Sequence, residues 1–309
     1  MNAPEKDVAD HANTPSPKWS HWLIHSIGAG DNREFARDEV RDWLNQHAKS
    51  SEERALRSIF MDEELSQFSL AIGLLACGAD PTIADEHGNT ALMSAAYSRV
   101  ENEECVRLLL PLSDAKAVNC IGRTALMFAA SVSKPESVRA LLPHSDAKAA
   151  DGDGQTALMS AAANDDAISL GLLLPQSDPN ARGYRGKTAL MHAAAGFKAA
   201  GSHEVDCVSL LLPVSDLSVR GDDGFDAFEL AVDCKFWRCV DQFALFVGVD
   251  QLKKAVAAAR AGQLPKALAK IESQELVEVV RAASQRQAAI EAGRNGASQE
   301  KSQSASRRL

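Results

Sequence analysis

The chain has 309 residues, with 33 Lys and Arg against 42 Asp and Glu and a net charge of −9. With 45% hydrophobic and 24% charged residues it has the balance of a soluble protein, and no stretch approaches the ~18 apolar residues of a membrane-spanning helix. Residues 253–309 carry eleven basic and five acidic residues, a surplus of +6, which leaves −15 for residues 1–252; an acidic body argues against nonspecific nucleic-acid binding there.

Residues 1–18 hold three prolines and no apolar run, so they are expected to be disordered and not a signal peptide. Residues 19–67 are expected to form a helical N-terminal cap. Beyond them a phrase recurs: TALMSAA at Thr90, TALMFAA at Thr124, TALMSAA at Thr156 and TALMHAA at Thr188, at spacings of 34, 32 and 32 residues. A second phrase keeps step, LLLPLSD ending at Asp114, ALLPHSD at Asp146, LLLPQSD at Asp178 and LLLPVSD at Asp216. A glycine stands two residues before each threonine, at Gly88, Gly122, Gly154 and Gly186. Self-similarity at this period means one supersecondary unit stacked many times.

The unit reads as helix, break, helix and extended turn. Thr124 is a good N-cap, its hydroxyl able to accept from a free N–H of the first turn. Ala-Leu-Met-Phe-Ala-Ala continues in strong helix formers, and Ser131–Pro135 breaks the helix. Glu136–Leu142 is expected to form a second helix with Val138, Leu141 and Leu142 on its apolar side, stopped by Pro143. The adjoining SDAKAADGDG is turn-rich. From Gly186 to Gly224 the unit lengthens to 38 residues, and the excess falls in GFKAAGSHEVD between its two helices. A sixth unit is degenerate, with Asp226 in the threonine slot and helices expected over about Asp226–Cys234 and Phe236–Val247; terminal repeats are atypical because one face lacks a neighbour. Residues 249–292 are expected to be helical, and 293–309 to be a disordered basic tail.

These motifs resemble the ankyrin repeat, a β-turn plus two helices over about 33 residues with a T-P-L-H-x-A signature. LLACGAD at Leu74–Asp80 matches the family's usual repeat ending, and a helix near Glu64–Ala76 is expected to be the outer helix of an imperfect first unit. The chain departs from the family with Ala for Pro and Met for His, and with P-x-S-D endings one residue shorter, which accounts for a period of 32. The resemblance covers roughly residues 68–248 and implies an all-α ankyrin-repeat solenoid of helix pairs joined by β-turn fingers, about five to six repeats with helical caps at both ends. The flavour of the repeats is that of bacterial ankyrin proteins.

No catalytic or metal constellation completes itself. Asp151-Gly-Asp-Gly begins like a calcium loop, but Gln155 and Ala162 stand at its fifth and twelfth positions, where an oxygen ligand and Glu are needed. His21 and His25 lie one helical turn apart, with Trp22 where a zinc helix would place Glu and no third ligand. Gly28-Ala-Gly-Asp-Asn-Arg lacks the third glycine of a dinucleotide loop. His192 has no partner for catalysis and is read as a packing residue. Cys105, Cys207 and Cys239 occupy one slot on successive outer helices, where a small apolar residue suffices, and reduced thiols in the cytoplasm are expected. No cofactor and no metal are expected, and the chain is read as not an enzyme; a site within Trp19–Leu75 is the enzymatic alternative.

The resemblance implies a protein partner bound by the concave face of turn tips and inner helices, on a monomeric scaffold. Residue by residue it gives Glu86, His87, Asn89 and Tyr97, then Cys120, Ile121 and Arg123, then Gly152, Asp153 and Gln155. It continues with Arg182, Tyr184, Arg185 and Lys187, and ends with Asp222, Asp223 and Phe225. The chain's two tyrosines both fall in these slots, and exposed Tyr and Arg are favoured interface anchors. The alternative is a secreted bacterial effector or mobile-element protein that binds its target in another cell, with the basic C-terminal tail as an export signal.

Overall fold

The structure is a computed structural model that describes residues 17–28, 33–47, 67–98, 103–195, 207–234, 236, 239–240, 242–243 and 246. The chain divides into two compact units, Met1–Asp178 and Pro179–Leu309. Among the described residues all regular structure is helical, and pairing outside helices is limited to two isolated bridges, Ala84 with Thr90 and Ala150 with Thr156.

The first unit contains α1 (Pro17–Gly28), α2 (Arg33–His47), α3 (Gln67–Ala76), α4 (Ala91–Tyr97), α5 (Glu103–Leu109), α6 (Ala125–Ser131), α7 (Pro135–Leu141), α8 (Ala157–Ala163) and α9 (Ala167–Leu173). α1, α4, α6 and α8 pack side by side in one row, with α3, α5, α7 and α9 in a second row behind it. α1 thus serves as the inner helix of the first pair, although 29–66 separate it from its outer partner α3. The amide of Asp80, after α3, donates to the buried Ser20 hydroxyl of α1 at 2.8 Å. α2 packs on both members of that pair.

The repeated phrase explains the rows. Thr90, Thr124 and Thr156 are extended, and their Oγ1 atoms accept from Met93, Met127 and Met159 N–H at 3.4, 3.4 and 3.3 Å. These caps satisfy donors that the first helical turn would otherwise leave orphaned under the core. Leu92, Leu126 and Leu158 are fully buried, and the paired alanines Ala95–Ala96, Ala129–Ala130 and Ala161–Ala162 let neighbouring inner helices approach closely. Cys105, Val106, Leu109, Val138, Leu141, Leu170 and Leu173 close the core from the outer row.

The P-x-S-D ending stops the α-helix as expected and adds a further turn. After α7 the chain tightens into a 3-10 turn, Leu142–His144, that carries Pro143 in its first positions. Proline at the start of a helical turn removes an N–H that has no intrahelical partner, so the turn continues through it. The next serine reaches back one repeat: Ser145 Oγ donates to Ala115 O at 3.4 Å and Ser177 Oγ to Ala147 O at 3.3 Å. The aspartate then starts the finger, with Asp114 and Asp146 accepting from Lys116 and Lys148 N–H at 2.8 and 2.9 Å.

The second unit contains α10 (Ala189–Ala195), α11 (Cys207–Leu211) and α12 (Ala227–Asp233), with α10 packed on both others. Thr188 caps α10 as in the earlier copies, accepting from Met191 N–H at 3.4 Å. In the degenerate copy Asp226 and Glu229 form a reciprocal capping box: Glu229 N–H donates to Asp226 Oδ1 at 2.8 Å and Asp226 N–H to Glu229 Oε2 at 3.1 Å. Glu229 is 2% exposed, and the Arg220 guanidinium grips it with two bonds of 2.8 and 3.2 Å. That contact holds Arg220 above its ordinary pKa, and burial raises the Asp226 carboxyl. The expected insertion at 196–206, half of the second helix of the sixth unit, the helix at 249–292 and the tails at 1–16 and 293–309 lie outside the described residues.

Candidate partner-binding site

Each finger ends in a tight turn whose first residue decides how the turn is held. In the first unit that residue is Asp85, Asn119 or Asp151. Asp85 Oδ1 accepts from His87 and Asn89 N–H at 2.9 and 2.7 Å, Asn119 Oδ1 from Ile121 and Arg123 N–H at 3.2 and 2.9 Å, and Asp151 Oδ1 from Asp153 and Gln155 N–H at 3.0 and 2.9 Å. Asx side chains close turns in this way, and the glycine three residues on takes a left-handed φ, +76° at Gly88 and +80° at Gly122. Successive tips also bond through the backbone, Cys120 N–H to His87 O at 3.0 Å and Gly152 N–H to Ile121 O at 2.8 Å. A Cβ at Gly88 or Gly122 would stand 2.9 or 3.0 Å from those donor nitrogens, so glycine is required twice over.

Side chains complete the ladder. Asn119 Nδ2 donates to Asn89 Oδ1 at 2.9 Å, and Arg123 Nε to the buried Asp151 Oδ2 at 3.0 Å. Asn89 and Arg123, expected to face a partner, are therefore committed to the stack. The same bonds account for the apparent calcium loop, since both Asp151 oxygens already have protein donors. Glu86, His87, Ile121 and Asp153 are exposed, and Gln155 is half-buried. Behind the tips, the half-exposed Tyr97 of α4 meets Phe128 of α6 edge to face, with centroids 5.3 Å apart. Phe128 was not among the residues expected from sequence; the signal was an aromatic in a slot that holds Ser94 and Ser160 elsewhere.

In the second unit the deciding residue is Gly183 or Gly221, with no side chain to accept. The tip at Tyr184–Gly186 closes as a 3-10 turn with Arg185 left-handed at φ 57°. Tyr184 is 51% exposed, and the Arg185 guanidinium lies 5.2 Å from its ring centroid. Arg185 O accepts from Asp222 N–H at 2.9 Å, and Arg182 pairs with Asp222 at 3.4 Å. Asp223 accepts from Phe225 N–H at 3.1 Å, which leaves Phe225 half-buried. Lys187 is half-buried, and its charge acts on His192.

A family model described as ankyrin repeats (3 copies) matches residues 65–151 and 133–220, half of the chain. The chain belongs to the ankyrin-repeat family. No curated protein matches the chain. Ankyrin repeats are in general protein–protein interaction modules and are generally not enzymes.

Cys105, Cys207 and Cys239 are all buried in their shared slot. The rings of His21 and His25 in α1 lie with centroids 4.2 Å apart, tilted by 47°. His192 of α10 has a buried Nε2 with no hydrogen-bond partner, and burial first, then Lys187, lowers its pKa to about 4. Among the described residues no group of three or more His, Cys, Asp or Glu is placed to hold a metal ion.

Proposed function

We propose that the chain is a non-enzymatic binding module whose ankyrin tips and inner-helix face grip a protein partner, with the Tyr184–Arg185 tip as principal anchor. The observation that carries this reading is the tip's geometry: a stacked Tyr–Arg pair, half exposed, on a residue held at φ 57°. A left-handed non-glycine residue costs about 1–2 kcal/mol, and such strain concentrates at functional sites. Stacking also fixes both side chains before binding, which reduces the entropy lost on association. With Arg182 paired to Asp222, Arg185 is the exposed cation that the tip offers, so the partner presents an apolar surface with an adjoining carboxylate.

The test begins with affinity purification of the partner from the native cell. Tyr184→Ala with Arg185→Ala is expected to weaken its binding about thirtyfold or more, the effect of losing about 2 kcal/mol at an anchor. A folded double variant that binds like the wild type would remove this tip from the site.

A further inference from the structure

The first unit presents a different face. Besides Asp85, its tips carry Glu86, Asp153 and the Arg123–Asp151 pair, which balances itself. Glu86 is 86% exposed at its side chain and lies 3.7 Å from His87 Nε2, a contact with charge only when the imidazole is protonated. The net charges that a ligand meets along these tips are therefore Glu86, with the half-buried Asp85 beside it, on one side and Asp153 on the other. Between them stands Ile121, 54% exposed, on the tip that leads into α6. The inner helices α4 and α6, into which the first two tips lead, carry the Tyr97–Phe128 pair. Farther along the inner row Asn164 Nδ2 joins α6 to α8 by donating to Ser131 O and Ser160 O at 3.1 and 2.9 Å.

We infer that this face of the first unit receives an extended peptide segment with one bulky apolar or aromatic residue at its centre and a Lys or Arg on each side. The central residue packs on Ile121, Tyr97 and Phe128, and the flanking cations meet Glu86 and Asp153. Spacing comes from the stack. Packed helices lie about 8–10 Å apart and an extended chain advances about 3.3 Å per residue, so each cation falls about three residues from the anchor. An acidic segment or a nucleic acid would bring like charge to both flanks. The inference rests on the reading that the ankyrin tips bind proteins, and it assigns this unit a partner chemistry opposite in sign to that of the Tyr184–Arg185 tip.

A phage-displayed library of random twelve-residue peptides, panned on the immobilised full chain, tests it. Enriched peptides are expected to carry a large apolar residue with Lys or Arg about three positions to either side. Panning on the Glu86→Lys, Asp153→Lys chain should reverse that preference to Asp and Glu. Phe128→Ser, which installs the residue that two other repeats carry in this slot, should weaken a synthetic enriched peptide at least tenfold while the far-ultraviolet circular dichroism stays unchanged. Enrichment without basic flanks, an unchanged preference on the double-lysine chain, or no enrichment on the wild type would each overturn the inference. Basic peptides whose binding falls with Tyr184→Ala and Arg185→Ala but not with Phe128→Ser would overturn it too, while leaving the general ankyrin reading intact. The general reading fails separately, if the native partner's affinity ignores all of these substitutions.

Discussion

The tips of the two units solve one problem by different means. At Asp85, Asn119 and Asp151 a side-chain oxygen collects two backbone donors and fixes the turn. At Gly183 that acceptor is missing, and the turn settles with Arg185 in a left-handed conformation. Gly221 lacks it as well, and there Asp223 supplies a single bond to Phe225 N–H. The contrast teaches that the ankyrin finger does not need its Asx residue to form. It needs it to form one way, and where it is absent the tip is free to display a strained, exposed pair. The same substitution of means appears at the helix starts, where Thr90, Thr124 and Thr156 give way to Asp226 with Glu229 and Arg220.

The largest effect expected is in the regular unit. Leu158 is fully buried, and Leu158→Ala should cost about 2–5 kcal/mol, read as a lower denaturant midpoint. An unchanged midpoint would break the register on which the comparison stands.

In the second unit the sharper probe is pH. His192 folds neutral, with its pKa lowered to about 4, whereas an unfolded histidine titrates near 6.5. Between those values the unfolded chain binds more protons, so stability is complete above pH 6.5 and falls as the pH drops toward 4, by up to about 3 kcal/mol. His192→Ser, the residue at Ser94 and Ser160, should flatten that part of the stability profile. An equal slope in wild type and variant would show that the acid sensitivity lies elsewhere.

Exchanging the tip chemistry tests the contrast itself. Asp151→Ala removes the acceptor for Asp153 N–H, Gln155 N–H and Arg123 Nε and should destabilise the first unit by about 2 kcal/mol. Gly183→Asp should do the reverse in the second, raising its melting temperature by a few degrees and weakening partner binding at Tyr184. Binding that survives a stabilised tip would separate the strain from the function. The smallest change is at Ser133, left-handed at φ 57° between α6 and α7. Ser133→Gly should stabilise by about 1 kcal/mol, measurable as a shift in chemical denaturation.

Much of this was legible because a repeat states its own alignment. The threonine caps, the buried Leu-Met pairs and the cysteine slot emerge from reading one copy against the next. What escaped was settled by pairs far apart in sequence. Asn89 and Arg123 look like surface residues until Asn119 and Asp151, about thirty positions on, are brought beside them. An acceptor three residues before Gly88, Gly122 and Gly154 could have suggested the Asx turn, but not which donors it takes. α1 gave no sign of its role either, since it lacks the TALM phrase and packs its row through Leu23, Ile24 and Ser20. Pro143 does end the α-helix as expected, and the 3-10 turn that follows was not legible because a proline that ends an α-helix can also open such a turn.

The back-reaching serines have a bearing on how such a chain can grow. Ser145 closes on Ala115 and Ser177 closes on Ala147 with the same atoms and nearly the same length. A segment cut after Asp114 and after Asp146 therefore carries a plug at one end and a matching socket at the other. Duplicating those 32 residues in the gene would repeat that serine closure, while at the tips Arg123 of one copy would meet Asn119 of the next in place of Asp151. The serine closure thus survives a change in copy number unaltered, and the tip pairs are the part that has to adjust.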